Sequence, residues 1–181
     1  TITVRINSPG GSVFDGMAIY NSLLHHKATI ITQIDGLAAS IASIIALAGD
    51  EIRMADNALF MIHNPWTMAF GDADELRNTA ELLDTIKDTL VSTYMKRAID
   101  LSEDDIESLM DAETWLTAEG AKEFGFVDVI TDKLEVAAHV DVSRFKHPPE
   151  ELRAMQLKVL DTPATEPENK PDNEPAETEL K

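Results

Sequence analysis

Gly36-Leu37-Ala38-Ala39-Ser40-Ile41-Ala42-Ser43 follows the apolar run Ala28 to Ile34, and the two together read as a strand, a tight turn and the start of a helix, with one serine at the turn. A serine so placed can point its hydroxyl out of the fold while the first unpaired N–H groups of the helix face the same spot. That combination suits a nucleophile beside an oxyanion site, provided a base lies nearby. The plainer alternative is that Ser40 caps the helix, as serine often does.

Outward from this segment, further apolar runs at Ile2–Ile6, Thr29–Ile34, Leu59–Ile62 and Phe126–Ile130 alternate with helical patterns. The alternation predicts an α/β fold with a largely parallel sheet. Val13 to His25 carries Phe14, Met17, Ala18, Tyr20, Leu23 and Leu24 at mixed three and four spacing, the pattern of a helix laid on a sheet. From Asp72 to Ile99 a stripe of Leu76, Ala80, Leu83, Ile86, Leu90, Val91, Tyr94, Met95 and Ala98 predicts a helix of about seven turns, capped by Asp72 or Asp74. Helices of that length often project and pack against another subunit, so oligomerisation is expected. The intrachain alternative is a hairpin with the next helix, which Ser102-Glu103-Asp104-Asp105 opens with a capping pattern.

The 181 residues suffice for one domain with a tail, and 33 acidic against 15 basic side chains give a formal charge of −18. Such a charge repels nucleic acid and anionic membrane surfaces. With no cysteine, a disulfide framework or thiolate metal site is excluded, and no His or carboxylate spacing suggests a metal; no cofactor is expected. The apolar run near Ile41 to Ala48 is too short to span a bilayer and no signal-peptide pattern opens the chain, so a cytoplasmic protein is expected. The chain opens inside a strand pattern at Thr1, which points to a further segment upstream.

All eight glycines lie at or before Gly125, whereas four of the eight prolines fall between Pro163 and Pro175. Residues 161–181 hold seven acidic and two basic side chains and almost no large apolar ones, the composition of a disordered acidic tail. The expected organisation is a body over 1–147, a short docking helix over 148–160 and the tail over 161–181.

Two more segments carry chemistry. Asn7-Ser8-Pro9-Gly10-Gly11-Ser12 turns from the first strand into the first helix, and its paired glycines let backbone N–H groups approach an oxyanion or a phosphate. No lysine follows the glycines and their spacing is not a dinucleotide fingerprint, so a nucleotide reading fails; a plain tight turn is the alternative. His63 ends the run Ala58-Leu59-Phe60-Met61-Ile62 and precedes Asn64-Pro65, at a strand end where active-site groups of parallel sheets gather. Its ordinary pKa near 6.5 suits a base, although a lone histidine there is more often structural. His25-His26 reads as a solvated helix end, and His139 and His147 as late and isolated.

Taken together, Ile6-Asn7-Ser8-Pro9-Gly10-Gly11 with Gly16-Met17-Ala18-Ile19-Tyr20, then Gly36 to Ser40, then Met61-Ile62-His63-Asn64-Pro65, then Trp115-Leu116-Thr117-Ala118-Glu119 through Gly125-Phe126-Val127-Asp128, resemble the ClpP family of Clp protease proteolytic subunits over roughly residues 1 to 130. The resemblance implies a crotonase-like α/β fold of repeated β-β-α units with a projecting helical handle. It also implies a serine endopeptidase working inside a homo-oligomeric assembly of about six or seven subunits per ring, in one or two rings, fed with polypeptide by an ATP-dependent unfoldase. On that basis Ser40 is the nucleophile, His63 the general base, and the N–H groups of Gly11 and Ile41 the oxyanion hole.

The acid departs from the family pattern. Where the family places aspartate, two residues before the aromatic that is here Trp115, this chain has Glu113, with Asp111 as the alternative acid. The family's arginine after the position of Asp111, part of a ring-to-ring ion pair, is here Ala112. Glu113 and the acidic tail look more like the phage and prophage ClpP-type head-maturation proteases, which cut scaffold or capsid precursor without an unfoldase. The competing expectations are a signal-peptide-peptidase-like protease, an acyl-CoA hydratase relative, and a catalytically silent structural subunit. The first would need a lysine base, yet no lysine occurs between Lys27 and Lys87; the second needs no Ser–His pair.

Overall fold

The computed structural model describes residues 1–134, 141, 143–150, 152 and 153. In chain order the elements are β1 (Ile2–Ser8), α1 (Val13–Leu24), β2 (Ile30–Ala39), α2 (Ile41–Ala46), β3 (Glu51–Ala55), β4 (Leu59–Ile62), α3 (Ala73–Met95), α4 (Glu103–Asp111), β5 (Thr114–Leu116), α5 (Ala118–Glu123) and β6 (Val129–Thr131). The sheet runs β5-β4-β2-β3-β6, with β1 also pairing β2. Every pairing is parallel except β4 with β5. The expected α/β architecture is the one found.

β2 organises the site because it serves three neighbours along its length. Ile30 to Ile34 lie opposite β1 and Ile31 to Ile34 opposite β3, whereas Leu37 to Ala39 lie opposite Leu59 to Met61 of β4. The register with β1 slips between Ile6 and Ser8, which bends the sheet where β2 passes from one partner to the other. The strand therefore delivers Ser40 next to the end of β4, where His63 begins the loop.

Two strands were not anticipated. In β3, Ile52 and Met54 are fully buried, while Glu51 and Arg53 alternate with them and pair at 2.5 Å; this is the half-buried, period-two pattern in a run of only five residues. β5 has three residues and is held by pairing with β4. The strand expected over Phe126–Ile130 is shorter and later. Gly125 adopts φ +83°, and the Phe126 N–H closes the end of α5 on Ala121 O at 2.8 Å, so Phe126 and Val127 enter the core as a turn.

On α1 the buried positions are Gly16 and Tyr20, and Phe14, Ile19 and Leu24 stand exposed. The stripe read from sequence is rotated because Gly16 brings the helix onto α2: a Cβ there would fall 2.1 Å from Ile41 Cγ1. α3 begins as expected, with Asp72 and Glu75 forming a capping box, but ends at Met95 rather than Ile99. The Ile99 N–H is drawn to Phe124 O at 3.0 Å, and Asp100 takes φ +53°, which stops the helix. Its last turns are buried through Leu90, Val91, Thr93 and Tyr94, and its first half stands free of the body. The Ser102 capping box of α4 is present, and Lys87 of α3 reaches Glu107 at 3.1 Å and Asp111 at 3.0 Å on α4. The intrachain hairpin and the projecting handle are thus two halves of one helix. Most of the expected 148–160 helix and all of the 161–181 tail lie outside the described residues. Among the described residues, no helix is long and apolar enough to cross a membrane.

Candidate active site

Ser40 occupies φ 57°, ψ −134°, between the last residue of β2 and the first of α2. This backbone conformation is unfavourable for an L-residue with a side chain and is tolerated only where its surroundings hold it. Here the Ser40 N–H is held by Met61 O at 3.0 Å, and the Ser40 carbonyl accepts from Ser43 Oγ at 2.5 Å. Ser43 Oγ also lies 2.6 Å from the hydroxyl of Tyr94, which is 1% exposed. Burial pushes the Tyr94 phenol well above its ordinary pKa, so it keeps its proton; donating it to Ser43 frees the Ser43 proton for the Ser40 carbonyl. The base of the handle helix thereby braces the turn.

The cap reading of Ser40 does not hold, since its side chain makes no capping hydrogen bond. Its Oγ lies 2.8 Å from His63 Nε2 instead. On the far side of the ring, His63 Nδ1 is 3.7 Å from Glu113 Oε2, beyond hydrogen-bond length but close enough for the carboxylate to favour a proton on Nδ1. Nε2 is then free to accept the Ser40 proton. Burial lowers the pKa of His63 from its ordinary value and outweighs the opposing pull of the Glu113 charge. The imidazole is consequently neutral, and so a competent base, at pH 7.

Glu113 is 6% exposed and sits at φ +52° just before β5, its N–H on Met110 O at 3.1 Å. Asp111 is directed elsewhere: its Oδ1 accepts from Asn64 Nδ2 at 2.7 Å and Lys87 Nζ at 3.0 Å, and these two hydrogen bonds lower its pKa. The structure therefore brings Ser40, His63 and Glu113 together and turns Asp111 toward the handle. His25 closes α1 with Nδ1 2.8 Å from Asn21 O and takes no part in this cluster.

Gly11 lines a cleft of about 130 Å³ together with Val13, Ser40, His63, Pro65, Trp66, Arg144 and Phe145. Ile41 is the first residue of α2, a position whose N–H has no intrahelical acceptor. Gly10, beside them, has φ +87°, and a Cβ on it would lie 2.7 Å from both Ala39 O and Ser40 Cβ. Gly10→Ala is accordingly expected to destabilise the fold by about 2–4 kcal/mol and to disturb the serine turn. Gly120→Ala, inside α5 where the nearest atom is 3.7 Å away, is expected to stabilise by about 0.5–1 kcal/mol. Denaturant unfolding of the two variants checks the contrast.

Sequence reasoning missed the outer wall of this site. Phe145 is 7% exposed and packs edge-on against His63 at 5.9 Å between ring centroids and against Trp115 at 5.3 Å. The backbone N–H groups of Lys146 and His147 donate to Glu113 Oε2 at 3.0 Å and Oε1 at 2.6 Å. An isolated phenylalanine in a polar stretch was the only trace of it in the sequence.

A serine on a strained strand-to-helix turn, hydrogen-bonded to a histidine at the end of the neighbouring strand, is the arrangement of serine hydrolases on several unrelated folds. A sequence model described as Clp protease matches residues 1–134, and the chain belongs to that family; its sheet and handle are of the ClpP type. The chain is 33% identical over 134 residues to an ATP-dependent Clp protease proteolytic subunit of Bacteroides fragilis, covering 73% of this chain and 64% of the relative. For the protein of the same name from Bacteroides thetaiotaomicron the identity is 33% over 137 residues, with 73% and 60% covered. For that of Deinococcus radiodurans it is 34% over 134 residues, with 73% and 65% covered. The chain thus spans between 60% and 65% of the length of these curated relatives.

Proposed function

We propose that this chain is a serine endopeptidase subunit acting on polypeptide through Ser40, His63 and Glu113. The observation that carries the reading is the 2.8 Å approach of Ser40 Oγ to His63 Nε2 from a turn at φ 57°. His63 takes the Ser40 proton as Oγ attacks the scissile carbonyl; the oxyanion so formed is met by the N–H groups of Gly11 and Ile41. The imidazolium, stabilised by Glu113, then protonates the departing amine and leaves an acyl-serine. Water attacks this ester with His63 again as base, and Ser40 recovers its proton as the acid product leaves.

The exposed first half of α3 is the surface we assign to contacts between copies of the chain in a homo-oligomeric ring. The relatives named above are ATP-dependent subunits, which supports an unfoldase partner. Two features favour the narrower head-maturation reading, with scaffold or capsid precursor as substrate in the cytoplasm. Glu113 replaces the family aspartate, and Asp111, lacking the following arginine, pairs with Lys87 inside its own chain. Cleavage of a folded capsid precursor without ATP would separate the two.

A fluorophosphonate probe tests the common core of both. Modification is expected on Ser40 and is expected to vanish in Ser40→Ala. An assembled, folded protein that takes up no probe would remove the peptidase reading in favour of a structural subunit.

A further inference from the structure

The family match ends at residue 134, yet the carboxylate facing His63 is held from beyond it. Both oxygens of Glu113 accept backbone N–H groups from Lys146 and His147, 33 and 34 residues away in sequence. The same segment lays Phe145 edge-on against His63, and Arg144 reaches over to donate to Pro9 O at 2.5 Å, in the turn that carries Gly11. Residues 144–147 therefore bridge the acid side of the site to the glycine turn. From the geometry we infer that residues 144–147 form a positioning strap, whose N–H groups at 146 and 147 aim the Glu113 carboxylate at His63 while Phe145 backs the imidazole.

The physical need for such a strap follows from the residue at 113. A glutamate has one methylene and one torsion more than an aspartate would have, so its carboxylate has more positions to occupy. Glu113 already sits in the left-handed region at φ +52°. Two backbone donors on its two oxygens select a single orientation, with Oε2 toward His63 Nδ1. These donors belong to the main chain, so the side chains at 146 and 147 are free to stay exposed, as they are.

The backbone origin of the contact allows a clean test in the full chain. His147 precedes Pro148, which biases it toward extended backbone of the kind proline itself adopts. His147→Pro deletes the N–H, whereas His147→Ala keeps it. The fluorophosphonate labelling rate of Ser40 is expected to be 10- to 100-fold lower in His147→Pro than in His147→Ala. In the Glu113→Gln background that ratio is expected to shrink to within about threefold, because the donor has lost the charge it positions. Where the wild-type protein takes the label, equal rates in the first pair, or an undiminished ratio in the second, would overturn the strap.

The rate readout rests on the proposed peptidase role of Ser40, so a second measurement is independent of it. His63 is faced by Glu113, which raises its pKa, by Arg144 and Lys146, which lower it, and by the burial that Phe145 contributes to. In protein carrying 13C-labelled histidine, the NMR titration midpoint of His63 is expected lower in His147→Pro than in His147→Ala, since a released carboxylate no longer supports the charged ring. An unchanged midpoint sinks the proposal. So does a rise, which would report that Arg144, Lys146 and Phe145 had left while the acid stayed. Phe145→Ala offers a check that needs no proline: opening the His63 face to water is expected to raise its midpoint, and no change would show that the ring does not back the imidazole. If wild-type protein takes no label yet the midpoints move as stated, the peptidase reading falls and the strap stands.

Discussion

Ser40→Ala, His63→Ala and the variant carrying both changes are expected to share one residual rate of peptide hydrolysis, on the order of 10⁴- to 10⁶-fold below that of the unaltered protein. The reason is that on the proposed mechanism the two side chains, 2.8 Å apart, do one job. A serine hydroxyl without an acceptor for its proton is a poor nucleophile at neutral pH, and an imidazole without a hydroxyl to activate has nothing to attack with. What survives is the contribution of the oxyanion N–H groups and of substrate binding, which neither substitution touches. The measurement is turnover of a quenched fluorescent polypeptide under conditions where all variants show the same assembly by sedimentation. Two independent losses that multiply in the double variant would mean that Ser40 and His63 are not partners. The pH profile adds a constraint: because burial lowers the pKa of His63, the acidic limb of kcat/KM is expected at lower pH than an ordinary histidine would give.

How far the site was legible from sequence depends on where each part of it is encoded. His63 directly follows an apolar run, so strand periodicity alone puts it at a strand terminus, whereas the run before Ser40 reads as a strand only to Ile34 and β2 in fact continues through Gly36 to Ala39. Parallel pairing of β2 with β4 then sets the two strand ends side by side. The acid is different in kind, because β5 has three residues and shows no periodicity that would place Glu113; only the register of a family motif did so. The strap is further out of reach. It acts through backbone N–H groups, which every residue but proline possesses, so the identities of Lys146 and His147 carry no sign of it. The end of α3 was missed for a related reason: its helical stripe continues to Ala98, but Phe124 O, a partner 25 residues from Ile99, captures the next N–H. Local pattern predicted the elements well where local burial decides them, and failed where a distant backbone group competes.

The choice of acid gives the other large effect, and Glu113→Gln and Asp111→Asn are expected to separate by about two to four orders of magnitude in acylation rate. Glu113 faces Nδ1 of a ring that is 10% exposed, where the imidazolium formed during attack has little water to stabilise it. Removing the charge leaves that cation unsupported and lets the imidazole adopt the tautomer with its proton on Nε2, the wrong nitrogen for taking one from Ser40. Loss of the equivalent charge in a serine protease triad costs about 10⁴ in kcat. Asp111 acts on Asn64 and Lys87, and its Asn variant is expected to retain acylation within about threefold while loosening the junction of α3 with α4. The pH profile separates an electrostatic role for Glu113 from a merely structural one. Its charge raises the pKa of His63 against the effect of burial, so Glu113→Gln is expected to move the acidic limb of kcat/KM to lower pH even as the plateau falls. A plateau that drops with no shift of the limb would mean that Glu113 supports the fold without acting on the base, and a larger loss in Asp111→Asn would transfer the acid to that residue.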